Sequence, residues 1–282
     1  MATRQQPQSP VLPLPPLESG TVSASDAELR GLDAYRLDSY IPERLVEEMC
    51  DGRMLSRLLA RKLGRKVAPR LLGRQDSESI VTSYGGIAVF DRPELHKGGM
   101  SFGQDFPRVL NELGVGRCTR LFEYCAGPGY IGYSLLAAGW CETLALADIS
   151  HDAVSVARRT AQHNRLDGRV SVYESDALDQ IPEDERWDLV VSNPPHFLPD
   201  PSGAGDVQVF DKDWRAHGRF YESVKRHMEP GGLVVMVENA AGSDPLLFEQ
   251  MIRAGGGRPV AVHAGTDVHG DPNGLYYQVS EW

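Results

Sequence analysis

From Arg117 onward the chain alternates two kinds of text, and this alternation limits the folds open to it more than any other feature. Short runs rich in β-branched and apolar residues, "RLFEYCA", "TLALADI", "RVSVYES", "WDLVVSN" and "GGLVVMVEN", read as buried strands. Between them "GYIGYSLLAAG", "HDAVSVARRTAQHN" and "GRFYESVKRHM" carry apolar residues at helical spacing. Such alternation predicts an α/β fold with a mostly parallel sheet and helices on both faces. The runs "RPVAVHAGT" and "LYYQVSEW" predict a terminal antiparallel pair and bring the strands to seven.

Upstream the pattern changes. Residues 1–25 are rich in Pro, Gln and Ser with little to bury, which predicts a disordered arm. Residues 26–78 offer Ser and Asp caps followed by apolar residues at helical spacing, broken near Pro42, and predict a small helical region. "SIVTSYGGIAVFD" reads as a hairpin around a Gly-Gly turn, and "SFGQDFPRVLNELG" as a loop entering a helix. Residues 79–116 are thus expected to connect the helical region to a domain over 117–282.

Composition narrows the function classes. Of 282 residues 41% are hydrophobic, ample for a core, and no apolar run is long enough to cross a bilayer. The first residues lack the basic start, apolar centre and cleavage site of a signal peptide, so the expected location is cytoplasmic. Cys50, Cys118, Cys125 and Cys141 show no CxxC or zinc-like spacing, so reduced thiols and no metal are expected.

A net charge of −10 argues against a surface built generally for nucleic acid. Residues 53–74 are the local exception, with Arg53, Arg57, Arg61, Lys62, Arg65, Lys66, Arg70 and Arg74 and no acid. They read as an amphipathic basic helix, either docked by its leucines or facing an anionic partner.

In an open α/β sheet ligands sit beyond the carboxyl ends of the strands, near the point where strand order reverses. The informative residues lie there. The first strand runs into "FEYCAGPGYIG", whose Gly127, Gly129 and Gly132 permit a tight turn and close backbone approach to a ligand at a helix N-terminus. An ordinary strand-to-helix turn would account for such a loop taken alone. After the second strand comes Asp148, placed either to accept from ribose hydroxyls or to cap the next helix. After the third comes Asp176 in "ESDAL", able to accept from an adenine amino group or to begin a turn. After the fourth comes "NPPHF".

Taken in order, glycine loop, ribose acid, adenine-side acid and NPP, the region from Leu121 to Glu238 resembles the class I S-adenosylmethionine-dependent methyltransferases. It is most similar to the branch whose fourth motif reads [DNS]PP[YFWH], which contains the release-factor glutamine methyltransferases and several adenine and guanine amine methyltransferases. The resemblance implies a Rossmann-like seven-stranded sheet, S-adenosylmethionine as cofactor and a methyltransferase domain over 117–282.

It also implies roles. Glu123, Gly127 and Gly129 would hold the methionine part of the cofactor, Asp148 the ribose, and Asp176 with Ala177 the adenine, with Cys125, Ala126 and Ile149 among the other cofactor-binding residues. Asn193, beside both cofactor and substrate, would accept from the substrate NH through its side-chain oxygen, and Pro194 through its carbonyl. Pro195 stiffens the loop. These bonds would aim a planar nitrogen's lone pair at the sulfonium methyl.

The family usually has an aromatic after the prolines that stacks on the substrate; here His196 stands there, with Phe197 next, and either can take that role. Phe102, Gln104 and Phe106 are expected over the cofactor, and Trp214, Arg215 and His217 along the substrate. The expected function is methyl transfer to a planar nitrogen of a protein, peptide or small molecule. The alternatives are an RNA or DNA base amine, engaged through residues 53–74, and a non-catalytic S-adenosylmethionine-binding module. A dehydrogenase reading explains neither NPP nor Asp176, and "AGPGYIG" departs from GxGxxG.

Overall fold

The structure, a computed structural model, describes residues 80–92, 95, 102–198, 208–266 and 272–282. The expectations for the Pro-rich arm, the helical region, the basic run at 53–74 and Cys50 lie outside the described residues.

β1 (Ile80–Tyr84) and β2 (Ile87–Asp91) form an antiparallel hairpin. Its two turn residues, Gly85 and Gly86, both have positive φ, +50° and +92°, the geometry a tight two-residue hairpin turn demands. The hairpin docks by backbone bonds: Ala88 N–H donates to Asn164 Oδ1 and Phe90 N–H to Thr160 Oγ1, at 2.9 and 3.0 Å.

After α1 (Phe102–Glu112) the elements follow in the expected order. They are β3 (Cys118–Tyr124), α2 (Tyr130–Ala137), β4 (Cys141–Asp148), α3 (His151–His163), β5 (Val170–Glu174) and β6 (Trp187–Ser192). A 3-10 turn at Lys212–Trp214 leads into α4 (Arg215–Ser223), then β7 (Met228–Asn239), α5 (Pro245–Ala254), β8 (Arg258–Thr266) and β9 (Pro272–Glu281). The sheet order is β5-β4-β3-β6-β7-β9-β8, with β3 through β7 parallel and β9 antiparallel to both its neighbours. This is the Rossmann-like seven-stranded architecture.

Alternate strand residues enter opposite cores. Leu121, Leu144 and Val191 pack with α2 residues on one face, while Phe122, Ala145 and Val190 pack with Phe220 and Trp187 on the other. Burial on both faces is why these strands read as unbroken apolar runs.

Three details differ from the sequence reading. α4 ends at Ser223 and tightens to a 3-10 turn over Val224–His227, shorter than "GRFYESVKRHM" suggested. Helix α1 already begins at Phe102, within the segment read as an entering loop. α5 was not anticipated, although its signals are ordinary: Asp244 caps it by accepting from Leu246 N–H at 2.9 Å, Pro245 opens it and Gly255 closes it.

The order reverses between β3 and β6, where chain from β3 continues toward β4 and β5 on one side and β6 and β7 lie on the other. The glycine loop and NPPH leave these two adjacent strands on the same edge. Ser192 Oγ–H donates to Tyr124 O at 2.7 Å and pins the two strand ends together.

Candidate active site

The glycine loop is shaped from beneath. Glu123, at the end of β3, is only 2% exposed, and its Oε2 accepts from Gly132 N–H in the first turn of α2 at 2.7 Å. Tyr130 O–H, two residues earlier in the same turn, donates to the buried Asp91 on the hairpin at 2.6 Å. The sequence reading put Glu123 against the cofactor; its carboxylate instead lies under the loop and holds the helix start. Cys125, Gly127 and Gly129 have φ of 51°, 53° and 87°, so the chain turns through three left-handed residues in five.

Burial pushes the Glu123 carboxyl up to about 8, against the opposing effect of the Gly132 and Ile131 N–H groups. A carboxyl with a folded-state pKa above its unfolded value contributes stability in full below the unfolded value and loses it as pH rises through the folded one. Glu123→Gln keeps an acceptor for Gly132 and carries no charge. The wild type is therefore expected to lose stability against Glu123→Gln between pH 4.5 and about 8, measured as the difference in thermal midpoint.

Asp148, at the end of β4, completes the loop. Its Oδ2 accepts from Gly127 N–H and its Oδ1 from Ser150 N–H, both at 2.8 Å. Ser150 Oγ in turn accepts from Ala153 N–H, so the capping of α3 falls to Ser150 rather than to Asp148. Beside it Ile149 is 62% exposed, an apolar face open next to the loop.

After β5, Ala177 adopts φ 54° and is buried with Leu178. Asp176 is half-exposed; it pairs closely with Arg219 on α4 and lies 3.7 Å from Arg215. The adenine-side acid is thus already engaged by a guanidinium that also bonds Asp179 at 2.6 Å.

At the end of β6, Asn193 Oδ1 is buried and accepts no hydrogen bond among the described residues. A buried carbonyl without a donor costs about 1–3 kcal/mol, a cost that a ligand N–H bound there would offset. Pro194 is buried behind it. His196 Nδ1 lies 3.4 Å from Glu238 Oε2 at the end of β7. Phe197 exchanges backbone bonds with Val209 and Asp211, and its ring leaves no room for a Cβ at Gly242, which would fall 2.3 Å from Cδ1. Phe197 is therefore packed against the β7–α5 loop, which leaves His196 as the side chain after the prolines nearest the site.

Three expected liners stand elsewhere. Phe106 is fully buried, edge-on to Tyr277 at 5.4 Å, in the core between α1 and the sheet. Trp214 is 8% exposed and packs edge-on to Phe248. His217 is fully buried, stacked on Phe248 at 4.5 Å and bonded to Asp211 and Glu238. As placed, Phe106 does not face a cofactor and Trp214 and His217 do not face a substrate, because apolar packing and internal hydrogen bonds already occupy them. Phe102 and Gln104 lie in the first turn of α1, and Arg215 is largely exposed at the start of α4. The sequence does not single out Asp211 or Glu238: Glu238 meets its partners only through the fold, while Asp211 bonds Ala216 and His217 five and six residues on, where a local turn carries the signal.

The site fits S-adenosylmethionine. A Cβ built on Gly127 would meet nothing within 4 Å, so the loop faces open space, and the exposed Ile149 and the buried, unpartnered Asn193 oxygen follow the neighbouring strands β4 and β6 at the same sheet edge. No group of His, Cys, Asp and Glu able to hold a metal occurs among the described residues, and no described helix is long and apolar enough to cross a membrane.

Fold and strand-end arrangement are those of the S-adenosylmethionine-dependent methyltransferases. The model of the methyltransferase small domain matches residues 108–254, and the chain belongs to that family. It is 30% identical over 138 residues to a release factor glutamine methyltransferase of Clostridium acetobutylicum, covering 45% of this chain and 48% of that protein. It is 31% identical over 163 residues to a ribosomal RNA small subunit methyltransferase C of Actinobacillus pleuropneumoniae, covering 58% and 44%. The chain thus spans about half the length of these curated relatives. Among solved structures, a T. thermophilus 16S rRNA N2 G1207 methyltransferase in complex with AdoMet and guanosine superposes with TM-score 0.50 at 17% identity, covering 77% of this chain and 53% of that one. At that identity the likeness speaks for the fold.

Proposed function

We propose that the enzyme methylates a planar nitrogen, an amide, guanidine or exocyclic amine. The observation that carries this reading is the buried, unpartnered Oδ1 of Asn193 at the edge where the glycine loop also ends. An acceptor in that position takes a substrate N–H and turns the nitrogen's lone pair toward the loop. The carbonyl of Pro194 takes a second N–H, and the paired prolines keep both acceptors rigid. Relatives named for glutamine and for guanine N2 fit the same requirement, since a carboxamide nitrogen and an exocyclic amine are both planar.

S-adenosylmethionine, when bound, supplies an electrophilic methyl on a sulfonium. In our reading the backbone of Cys125, Ala126, Gly127 and Gly129 receives its methionine end, Asp148 its ribose, Ile149 and Ala177 the adenine faces, and Asp176 the adenine amino group while paired with Arg219. Asp148 does double duty, since the carboxylate that would meet the ribose already holds Gly127 and Ser150. Asp148→Ala is expected to weaken cofactor binding by about 10- to 100-fold, the loss of one or two charge-assisted hydrogen bonds. Calorimetric titration with S-adenosylmethionine measures it, and an unchanged affinity removes Asp148 from the site.

The net charge of −10 favours a protein, peptide or small-molecule acceptor over nucleic acid. The deciding experiment incubates the full chain with methyl-labelled S-adenosylmethionine and separated protein, RNA and metabolite pools, then locates the label by mass spectrometry. Label on a nitrogen supports the reading; label only on oxygen, carbon or sulfur, or in no pool, overturns it.

A further inference from the structure

Behind the NPPH loop runs a buried line of ionisable groups that ends on its histidine. Asp211 Oδ2 accepts from His217 Nδ1–H at 2.7 Å, while its Oδ1 accepts from Ala216 N–H at 2.9 Å. His217 Nε2 lies 3.0 Å from Glu238 Oε1, and Glu238 Oε2 lies 3.4 Å from His196 Nδ1. Asp211, His217 and Glu238 are 4%, 0% and 0% exposed. Three ionisable side chains buried together gain little or nothing in stability over apolar residues of the same volume, so packing alone does not explain them.

The geometry favours one arrangement of protons along the line. An imidazole between two carboxylates donates through both nitrogens, so His217 is an imidazolium; burial opposes its charge, but Glu238 and Asp211 raise it to about 9. Glu238 presents one oxygen to each histidine. A neutral His196 that donates through Nδ1 to the second Glu238 oxygen, 3.4 Å away, has its Nε2 bare. Nothing among the described residues is bonded to Nε2, on the far side of a ring that is partly open to solvent.

We propose that Asp211, His217 and Glu238 are positioning residues that hold His196 in its Nδ1–H tautomer, and that His196 Nε2 accepts the proton shed by the methylated nitrogen. This rests on the reading of the site as nitrogen methylation. In the step, the nitrogen lone pair forms the new N–C bond, the C–S bond breaks with its electron pair retained by sulfur, and one of the two protons on the now cationic nitrogen leaves its Asn193 or Pro194 acceptor and passes to Nε2. The imidazolium so formed faces the Glu238 carboxylate, which stabilises it as the buried acid of a catalytic triad stabilises its histidine. A Phe or Tyr after the prolines would stack on a planar group but has no such acceptor. The chain therefore departs from the commoner wording with a consequence for proton transfer rather than for stacking alone.

The test has two arms. Long-range ¹H–¹⁵N spectra of the ¹⁵N-histidine-labelled full chain, assigned by the loss of signals in His196→Phe, read the tautomer without substrate. A bare Nε2 on His196 and a doubly protonated His217 are expected, with the His196 pattern lost in Glu238→Gln. An Nε2–H tautomer at His196, or a His196 pattern indifferent to Glu238→Gln, overturns the proposal. In the second arm His196→Phe is compared with wild type on the labelled pool. Turnover is expected to fall about 100-fold with cofactor affinity unchanged. Turnover equal to wild type shows a stacking role and overturns the proposal while leaving nitrogen methylation standing. Absence of nitrogen label from the wild type instead removes the reading beneath it, and the proton-acceptor role with it.

Discussion

Asn193→Ala is expected to lower turnover by about 100- to 1,000-fold while S-adenosylmethionine affinity stays within a few-fold. The size follows from what the side chain supplies. A planar nitrogen donates its lone pair into its neighbouring π system, and the pair becomes available for transfer only when the N–H bonds are held and the nitrogen is set in line with the methyl. Asn193 Oδ1 is the acceptor that would hold one of them, and removing a single pre-aligned polar group at a reacting centre commonly costs about 100- to 1,000-fold. The stability effect separates this role from a structural one. Because Oδ1 is buried with no donor among the described residues, deleting it removes a desolvation cost and breaks no internal bond through that atom. The thermal midpoint of Asn193→Ala is therefore expected to equal or exceed that of the wild type. Undiminished turnover on the labelled pool removes Asn193 from the chemistry. A large drop in midpoint instead makes it a scaffold residue.

The same residue shows why part of the site was legible in the sequence. Each strand end of a parallel sheet opens on one edge, so the residues just after "RLFEY", "LALAD", "VYES" and "VVSN" meet there whatever fills the gaps between them. Gly127, Asp148, Ala177 and Asn193 could be placed from order alone, and Asp148 does meet Gly127 directly. What order cannot convey is the direction a side chain takes. Glu123 stands at the right strand end but alternation turns it under the loop, where Gly132 N–H waits for it. Trp214 and His217 follow NPPHF by a short distance, yet a left-handed turn through Asp213 and Trp214, φ 55° and 53°, sends them into the core against Phe248. The line from Asp211 to His196 joins three separated segments, and none of its hydrogen bonds except Asp211–His217 is near in sequence. Helix α5 was missed for a different reason: only Phe248 and Ile252 of its residues are fully buried, so its apolar stripe is narrow beside the strand that precedes it.

Two glycines in one loop are expected to fail in opposite ways. At Gly129, which caps α2 with φ 87°, an added Cβ would fall 2.8 Å from the Tyr133 ring and 2.9 Å from Leu146 Cδ1. Neither neighbour has room to yield: both are fully buried, and Tyr133 O–H is tied to Ala157 O at 2.6 Å. Left-handed strain and overpacking add, so Gly129→Ala is expected to cost about 3 kcal/mol or more in unfolding free energy and to carry cofactor binding down with it. At Gly127, φ 53°, the same Cβ meets nothing within 4 Å. Gly127→Ala bears only the left-handed cost, about 1–2 kcal/mol, and stays folded. Its methyl group, however, projects into the space that the loop leaves open for the cofactor, and Asp148 keeps the Gly127 amide from rotating away. Binding of S-adenosylmethionine is therefore expected to fall by more than about tenfold, since a ligand held by close backbone approach has no slack for an added carbon. Urea unfolding and calorimetry on the two variants measure both quantities. If Gly127→Ala binds S-adenosylmethionine as the wild type does, the open face of the loop is not where the cofactor lies, and the assignment of the methionine subsite to Gly127 falls even though the fold survives.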